Sequence, residues 1–181
     1  MGTITARTLL VASRDLEDPN FRRAVVLIIE HTPEHTIGLV LNRPLKVTCT
    51  EIVEQFELSW HGQDEHIFRG GPVESNMLWI LHSDGWPFEH NVIFEGLGLS
   101  VTREALSVLC QTESERVKLF SGYAGWGPGQ LERELEEGAW FTVQGDAGFV
   151  FECAPQDMWE DALAYLGIDA QLLMSSSGLV H

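Results

Sequence analysis

At 181 residues, with a 44% hydrophobic fraction, the chain is long enough to bury roughly 70% of its unfolded surface in one domain spanning 1–181, without a metal or disulfide staple. No segment approaches the ~20 apolar residues of a membrane-spanning helix, and Met1-Gly2-Thr3-Ile4-Thr5-Ala6 lacks the charged and apolar regions of a signal peptide. The net charge of −16, with Lys46 and Lys118 the only lysines, repels phosphate backbones, so direct nucleic-acid binding is not expected.

Cys49, Cys110 and Cys153 are odd in number, widely spaced and free of any Cys-x-x-Cys pattern. They fit buried thiols in a reducing compartment, and the expected location is the cytoplasm with no membrane contact.

In chain order, Thr8 to Ser13 is a short apolar strand closed by the polar run 14–20. Ala24 to Glu30 is a continuous β-branched run of the kind buried on both faces of a sheet, hence the central strand. The turn at His31 to His35 returns the chain through Ile37 to Leu41, predicting a hairpin. Pro44 holds Arg43 extended and aims its side chain in a defined direction. Thr50 is placed to cap a helix over 51–56. Residues 66–69 and 77–82 read as strands around Gly70-Gly71-Pro72-Val73, and 92–94 as a further strand. Thr102 caps a helix reaching about Leu109. Residues 139–143 and 149–151 read as two strands joined by the turn 144–148. Pro155 opens a last helix that Gly167 ends. The tail 168–181, with Ser175-Ser176-Ser177-Gly178, reads as mobile. Strands in runs with interspersed helices predict an α+β domain with a mainly antiparallel sheet and a few short helices.

The stretch most constrained in composition is Gly122-Tyr-Ala-Gly-Trp-Gly-Pro-Gly-Gln-Leu-Glu132. Its glycines permit positive φ or close backbone approach, and the acidic helix at 129–137 opens after Pro128. Three readings stand beside one another. Glu132 folds back to cap the helix in a purely structural turn; the free N–H groups hold an anion, which Glu132 and Glu134 oppose; or Tyr123 and Trp126, with Gln130 and Glu132, present amphipathic rings and polar groups to a partner.

A second set of polar residues stands at strand ends: His31, Asn42, Arg43 and His82. Were the strands neighbours, these ends would converge near Tyr123 and offer a histidine base. Their structural reading is capping and turn formation. No catalytic template accompanies them, since Gly-x-Ser-x-Gly, Walker A and Gly-x-Gly-x-x-Gly are all missing. Thr32-Pro33 forbids the helix that would set His31 and His35 on one metal, so no metal site, cofactor or catalytic residue is expected.

Taken together, Asp18-Pro-Asn-Phe21, Gly38-Leu-Val-Leu-Asn-Arg-Pro44, Gly70-Gly-Pro-Val73, Leu81-His82, the Gly122–Glu132 block and Trp140 resemble the YqgE/AlgH family of small bacterial proteins. The chain departs from that pattern at Arg7, where glycine is usual, and at Thr36-Ile37. The resemblance implies an α+β fold with a coiled, bifurcated, mainly antiparallel sheet. It also brings a transcriptional-regulator label traced to alginate control, with no cofactor or catalytic residue to carry over. The leading expectation is a non-enzymatic protein acting through an unknown protein partner or small ligand at the Tyr123–Glu132 loop. The alternatives are an enzyme or small-molecule sensor using His31, Asn42, Arg43 and His82, and direct DNA binding through Arg7, Arg14, Arg22 and Arg23.

Overall fold

A computed structural model of the chain describes residues 4–63, 65–113 and 116–167. The tail 168–181 lies outside them. The elements in chain order are β1 (Thr8–Ala12), β2 (Val25–His31), β3 (Thr36–Val40), β4 (Pro44–Thr48), α1 (Cys49–Glu54), β5 (His66–Arg69), β6 (Val73–His82), β7 (Asn91–Phe94) and β8 (Leu97–Ser100). They continue with α2 (Arg103–Cys110), β9 (Val117–Trp126), α3 (Gln130–Glu136), β10 (Trp140–Gln144), α4 (Ala147–Glu152) and α5 (Pro155–Tyr165). The fold is α+β, as the strand-rich pattern predicts.

The sheet runs β10-β1-β2-β3-β9-β6-β8-β7, with β4 and β5 branching from it. Branching happens on β9. Its first half carries β5 in parallel at Phe120 and Ser121, and its last residues carry β3 antiparallel at Ala124 to Trp126. Gly122, at φ +73°, separates the two halves. A Cβ there would meet the Gly71 carbonyl at 2.6 Å, so both backbone shape and space require glycine. The result is the coiled, bifurcated sheet that the resemblance implies.

β1 and the first part of β2 are buried throughout, as their unbroken apolar sequences require. Leu9, Val11, Leu27 and Leu39 point into one core with Phe120 and with Met158, Trp159 and Leu163 of α5. The opposite face of the same strands packs Leu10, Val26 and Ile28 against Trp126, Leu131 and Trp140. A third cluster joins Val53 of α1 and Leu106 and Leu109 of α2 to Ile80 and Leu119.

Several local expectations need correction. Residues 149–151 are not a strand. They belong to α4, whose Asp146 cap accepts the Phe149 N–H at 2.8 Å, and whose Val150 and Phe151 are buried. The cap of α1 is Thr48 rather than Thr50: its hydroxyl accepts the Glu51 N–H, and Glu51 returns a bond to the Thr48 N–H at 2.8 Å, a complete capping box. β4 and β8 are additional strands. The segment at 66–69 and the one at 73–82 do not form a hairpin across Gly70-Gly71; each pairs with β9 instead. The Thr102 cap and Pro155 at the start of α5 stand where the sequence puts them.

Candidate functional site

The glycine-rich stretch forms the end of β9 and the start of α3. Gly129, at φ +68°, is the N-cap of α3, which begins one residue later than the sequence suggests. It is Gln130, not Glu132, that folds back over the turn: its Oε1 accepts the Gly127 N–H at 3.1 Å. Glu132 points the other way, to 3.4 Å from the His31 Nε2. The third carboxylate of this helix organises the aromatic residues. Glu134 Oε2 accepts the indole N–H groups of Trp126 and Trp140, each at 2.9 Å, and Oε1 accepts from Gln130 at 3.1 Å. Phe21 stacks on Trp126 at 6.0 Å and meets Trp140 edge-on at 5.7 Å.

This arrangement makes Trp126 a core residue, only 4% exposed. Its ring has no face to offer a partner. Tyr123 is half-buried, edge-on to Trp79 at 5.7 Å. Glu132, with 47% of its side chain exposed, is the group of this loop most open to solvent contact, with His31 behind it.

The strand-end residues occupy separate places. His31 Nδ1 lies 2.6 Å from the Thr36 hydroxyl, and Thr36 is buried, so the hydroxyl has no access to a substrate. Asn42 fastens a loop: its Oδ1 accepts the Val25 N–H at 3.0 Å and its Nδ2 donates to the Arg23 carbonyl at 2.8 Å. Arg43 donates to the neighbouring Arg22 carbonyl. His82 is wholly buried. Its Nδ1 faces the Ser83 carbonyl at 2.6 Å, an acceptor only, so Nδ1 carries the proton and Nε2 accepts from the Ser100 hydroxyl at 2.8 Å. Burial pushes the His82 pKa below its usual value; the Ser83 carbonyl raises it, and His90 lowers it further.

Register places these groups apart. His82 lies opposite Val117 at one end of β9, whereas Thr36, the partner of His31, lies opposite Trp126 at the other. The intervening strand spans roughly 30 Å at ~3.3 Å per residue. Asn42 stands beyond the far end of β3 from Thr36, roughly 20 Å away by the same rise. The four residues therefore do not form one catalytic centre. What they do share with the loop is the pair His31 and Glu132.

A concavity that sequence reading missed lies at the Asn42–Arg43 end of β3. It encloses about 290 Å³ and is lined by Pro19, Asn20, Val40, Arg43, Arg69, Gly71 and Pro72. The Arg69 N–H donates to the Arg43 carbonyl at 2.8 Å, in step with the Pro44–Phe68 pairing. The two arginines are thus direct cross-strand neighbours. Gly71 forms a wall: a Cβ on it would meet the Tyr123 carbonyl carbon at 2.1 Å. Arg43 shows as polar and strand-terminal in the sequence; its alignment with Arg69 depends on a non-local pairing that no local pattern signals. Among the described residues, no His, Cys, Asp and Glu group has the composition of a metal site.

A coiled, branched antiparallel sheet with a tryptophan-carboxylate cluster under a glycine loop defines an α+β protein of the AlgH-like class. The family description DUF179: AlgH-like matches residues 9–171, and the chain belongs to that family. It is 38% identical over 173 residues to a UPF0301 protein of Myxococcus xanthus, covering 94% of this chain and 96% of that one. A UPF0301 protein of Streptomyces avermitilis is 39% identical over 170 residues, covering 90% and 86%. The solution structure of the AlgH protein from Pseudomonas aeruginosa matches with TM-score 0.77 and 31% identity, covering 97% of each chain. A crystal structure from Corynebacterium diphtheriae, at TM-score 0.72 and 23% identity over 90% of this chain and 87% of that one, shares the fold.

Proposed function

We propose that this chain is a cytoplasmic regulatory protein that acts through non-covalent contact with a protein or small ligand rather than by catalysis, so that any effect on transcription is indirect. The observation that carries this reading is the dispersal of the candidate catalytic groups. His31, Asn42 and His82 each make their hydrogen bonds inside the fold, at separate ends of strands. Net charge of −16 further disfavours a phosphate backbone as the direct target. The contact surface on the loop is Tyr123, Gln130 and Glu132, with Trp126 supporting it from beneath.

A strain lacking the protein, complemented with the wild-type chain or with a Tyr123→Ala, Glu132→Gln double variant, tests the reading by transcript profiling. The double variant is expected to melt close to wild type and fail to restore the profile. Full restoration would remove the loop surface from the function. Fluorescence anisotropy with duplex DNA supplies the counter-test: no binding is expected at about 50 mM salt. Binding there that collapses by orders of magnitude at about 200 mM would establish a direct DNA contact instead.

A further inference from the structure

The Arg43–Arg69 cleft is electrostatically anomalous for this chain. Like charges placed directly across a strand pair repel, and this pair sits in a protein with 27 acidic residues available to neutralise it. Yet among the described residues neither guanidinium makes a salt bridge, and no acidic side chain lines the cleft. The nearest carboxylate in sequence, Asp18, turns back to accept the Asn20 N–H at 2.9 Å. Arg43 is half-buried, and the loss of solvation disfavours its charged form. Arginine nevertheless remains charged in proteins, so an anion delivered into the cleft would relieve both the repulsion and the desolvation.

We propose that the Arg43–Arg69 cleft binds the phosphate group of a small phosphate monoester. Two guanidinium forks from adjacent strands suit a tetrahedral oxyanion, which accepts from both through different oxygens. Asn20 adds an amide to the rim. The enclosed space of about 290 Å³ holds a phosphoryl group and a small part of its ester, not an extended polyanion. Pro19 and Pro72 make the walls stiff, and the wall at Gly71 packs directly on the Tyr123 backbone. Occupancy is therefore felt at β9, beside the loop surface described above. The site stands independently of that surface, because it rests on different residues and a different chemistry.

The experiment is a titration of the full-length, isotope-labelled protein with inorganic phosphate at constant ionic strength, followed by amide and arginine Nε–H chemical shifts. The expected result is a saturable change at Asn20, Gly71, Arg43 and Arg69. Arg69→Gln, at an exposed side chain that carries no fold contact among the described residues, is expected to keep a wild-type spectrum and weaken binding about tenfold or more. Arg43→Lys is expected to weaken it as well, because the fork geometry is lost. An Arg69→Gln protein that titrates like wild type would overturn the site. So would shifts scattered over Arg7, Arg14 and Arg22, which would signal only general anion screening. Acetate displacing phosphate at equal concentration would overturn the phosphate assignment, and duplex DNA displacing it at equal phosphate content would overturn the small-molecule one.

Discussion

Glu134 accepts the indole N–H of Trp126 at 2.9 Å through the same oxygen that accepts the Trp140 N–H. Both rings are buried, so removing the carboxylate strands two indole donors without solvent. At ~1–3 kcal/mol for each orphaned donor, Glu134→Ala is expected to cost about 2–4 kcal/mol. Glu134→Gln keeps a carbonyl acceptor and is expected to cost roughly half as much. The urea midpoint of each variant, at unchanged m-value, measures this; a loss below about 0.5 kcal/mol for the alanine variant would show that water reaches both indoles.

Gly71 and Gly138 separate two reasons for using glycine. At Gly71 an added Cβ falls 2.1 Å from the Tyr123 carbonyl carbon and 2.3 Å from the Ala124 nitrogen, both backbone atoms of a central strand. Gly71→Ala is expected to leave no folded protein, or to lose more than about 3 kcal/mol by displacing β9. Gly138 has φ +77° and open space around it, so Gly138→Ala is expected to cost only about 1–2 kcal/mol of backbone strain. Denaturation of the two variants side by side checks the ordering. Equal losses would mean that the strand at Tyr123 yields easily.

His82 gives the fold a pH dependence with a definite sign. Burial lowers its pKa in the folded state beneath the unfolded value near 6.5. The unfolded chain therefore binds the proton first as pH falls. Stability from this residue is complete above about pH 6.5 and is lost on acidification through 6.5 toward the depressed folded value, at a slope of up to about 1.4 kcal/mol per pH unit. His82→Gln is expected to lower stability at neutral pH, through the lost bonds to Ser83 and Ser100, and to flatten the difference between roughly pH 7.5 and 5. Urea melts of both proteins across that range check it; parallel curves would show that His82 titrates normally.

Much of the architecture was legible because it is written locally. The β-branched run of β2, the turn at 32–35 and the return through β3 form the predicted hairpin, and Thr102 and Pro155 mark their helices. The capping box of α1 was also written, as Thr48 and Glu51 three residues apart, though Thr50 beside it is as good a capping type by identity alone. Residues 149–151 misled because a short apolar run has no period that separates strand from buried helix. The site was less legible still. Gly122 marks a bend, but only the paired strands show that Trp126 turns inward to Glu134. The alignment of Arg43 with Arg69 arises from strands 26 residues apart and has no local signature.

Cys153 is half-buried, with its Sγ 3.3 Å from Asp161 Oδ2. Burial first, then the hydrogen bond to Asp161 and the charges of Asp161 and Asp157, push its thiol up to about 11, although Lys118 pulls the other way. Burial alone brings Cys110 to about 11 as well. The reactive species is the thiolate, so at pH 8 only about one thiol in a thousand is nucleophilic, roughly two orders of magnitude fewer than for an ordinary cysteine. The native protein is expected to alkylate correspondingly slowly with iodoacetamide, and Asp161→Asn to speed the reaction at Cys153 while leaving Cys110 untouched. Peptide mass spectrometry over time resolves the two sites. Rapid labelling of native Cys153 would mean that the Lys118 ammonium, not the aspartate pair, governs the thiol.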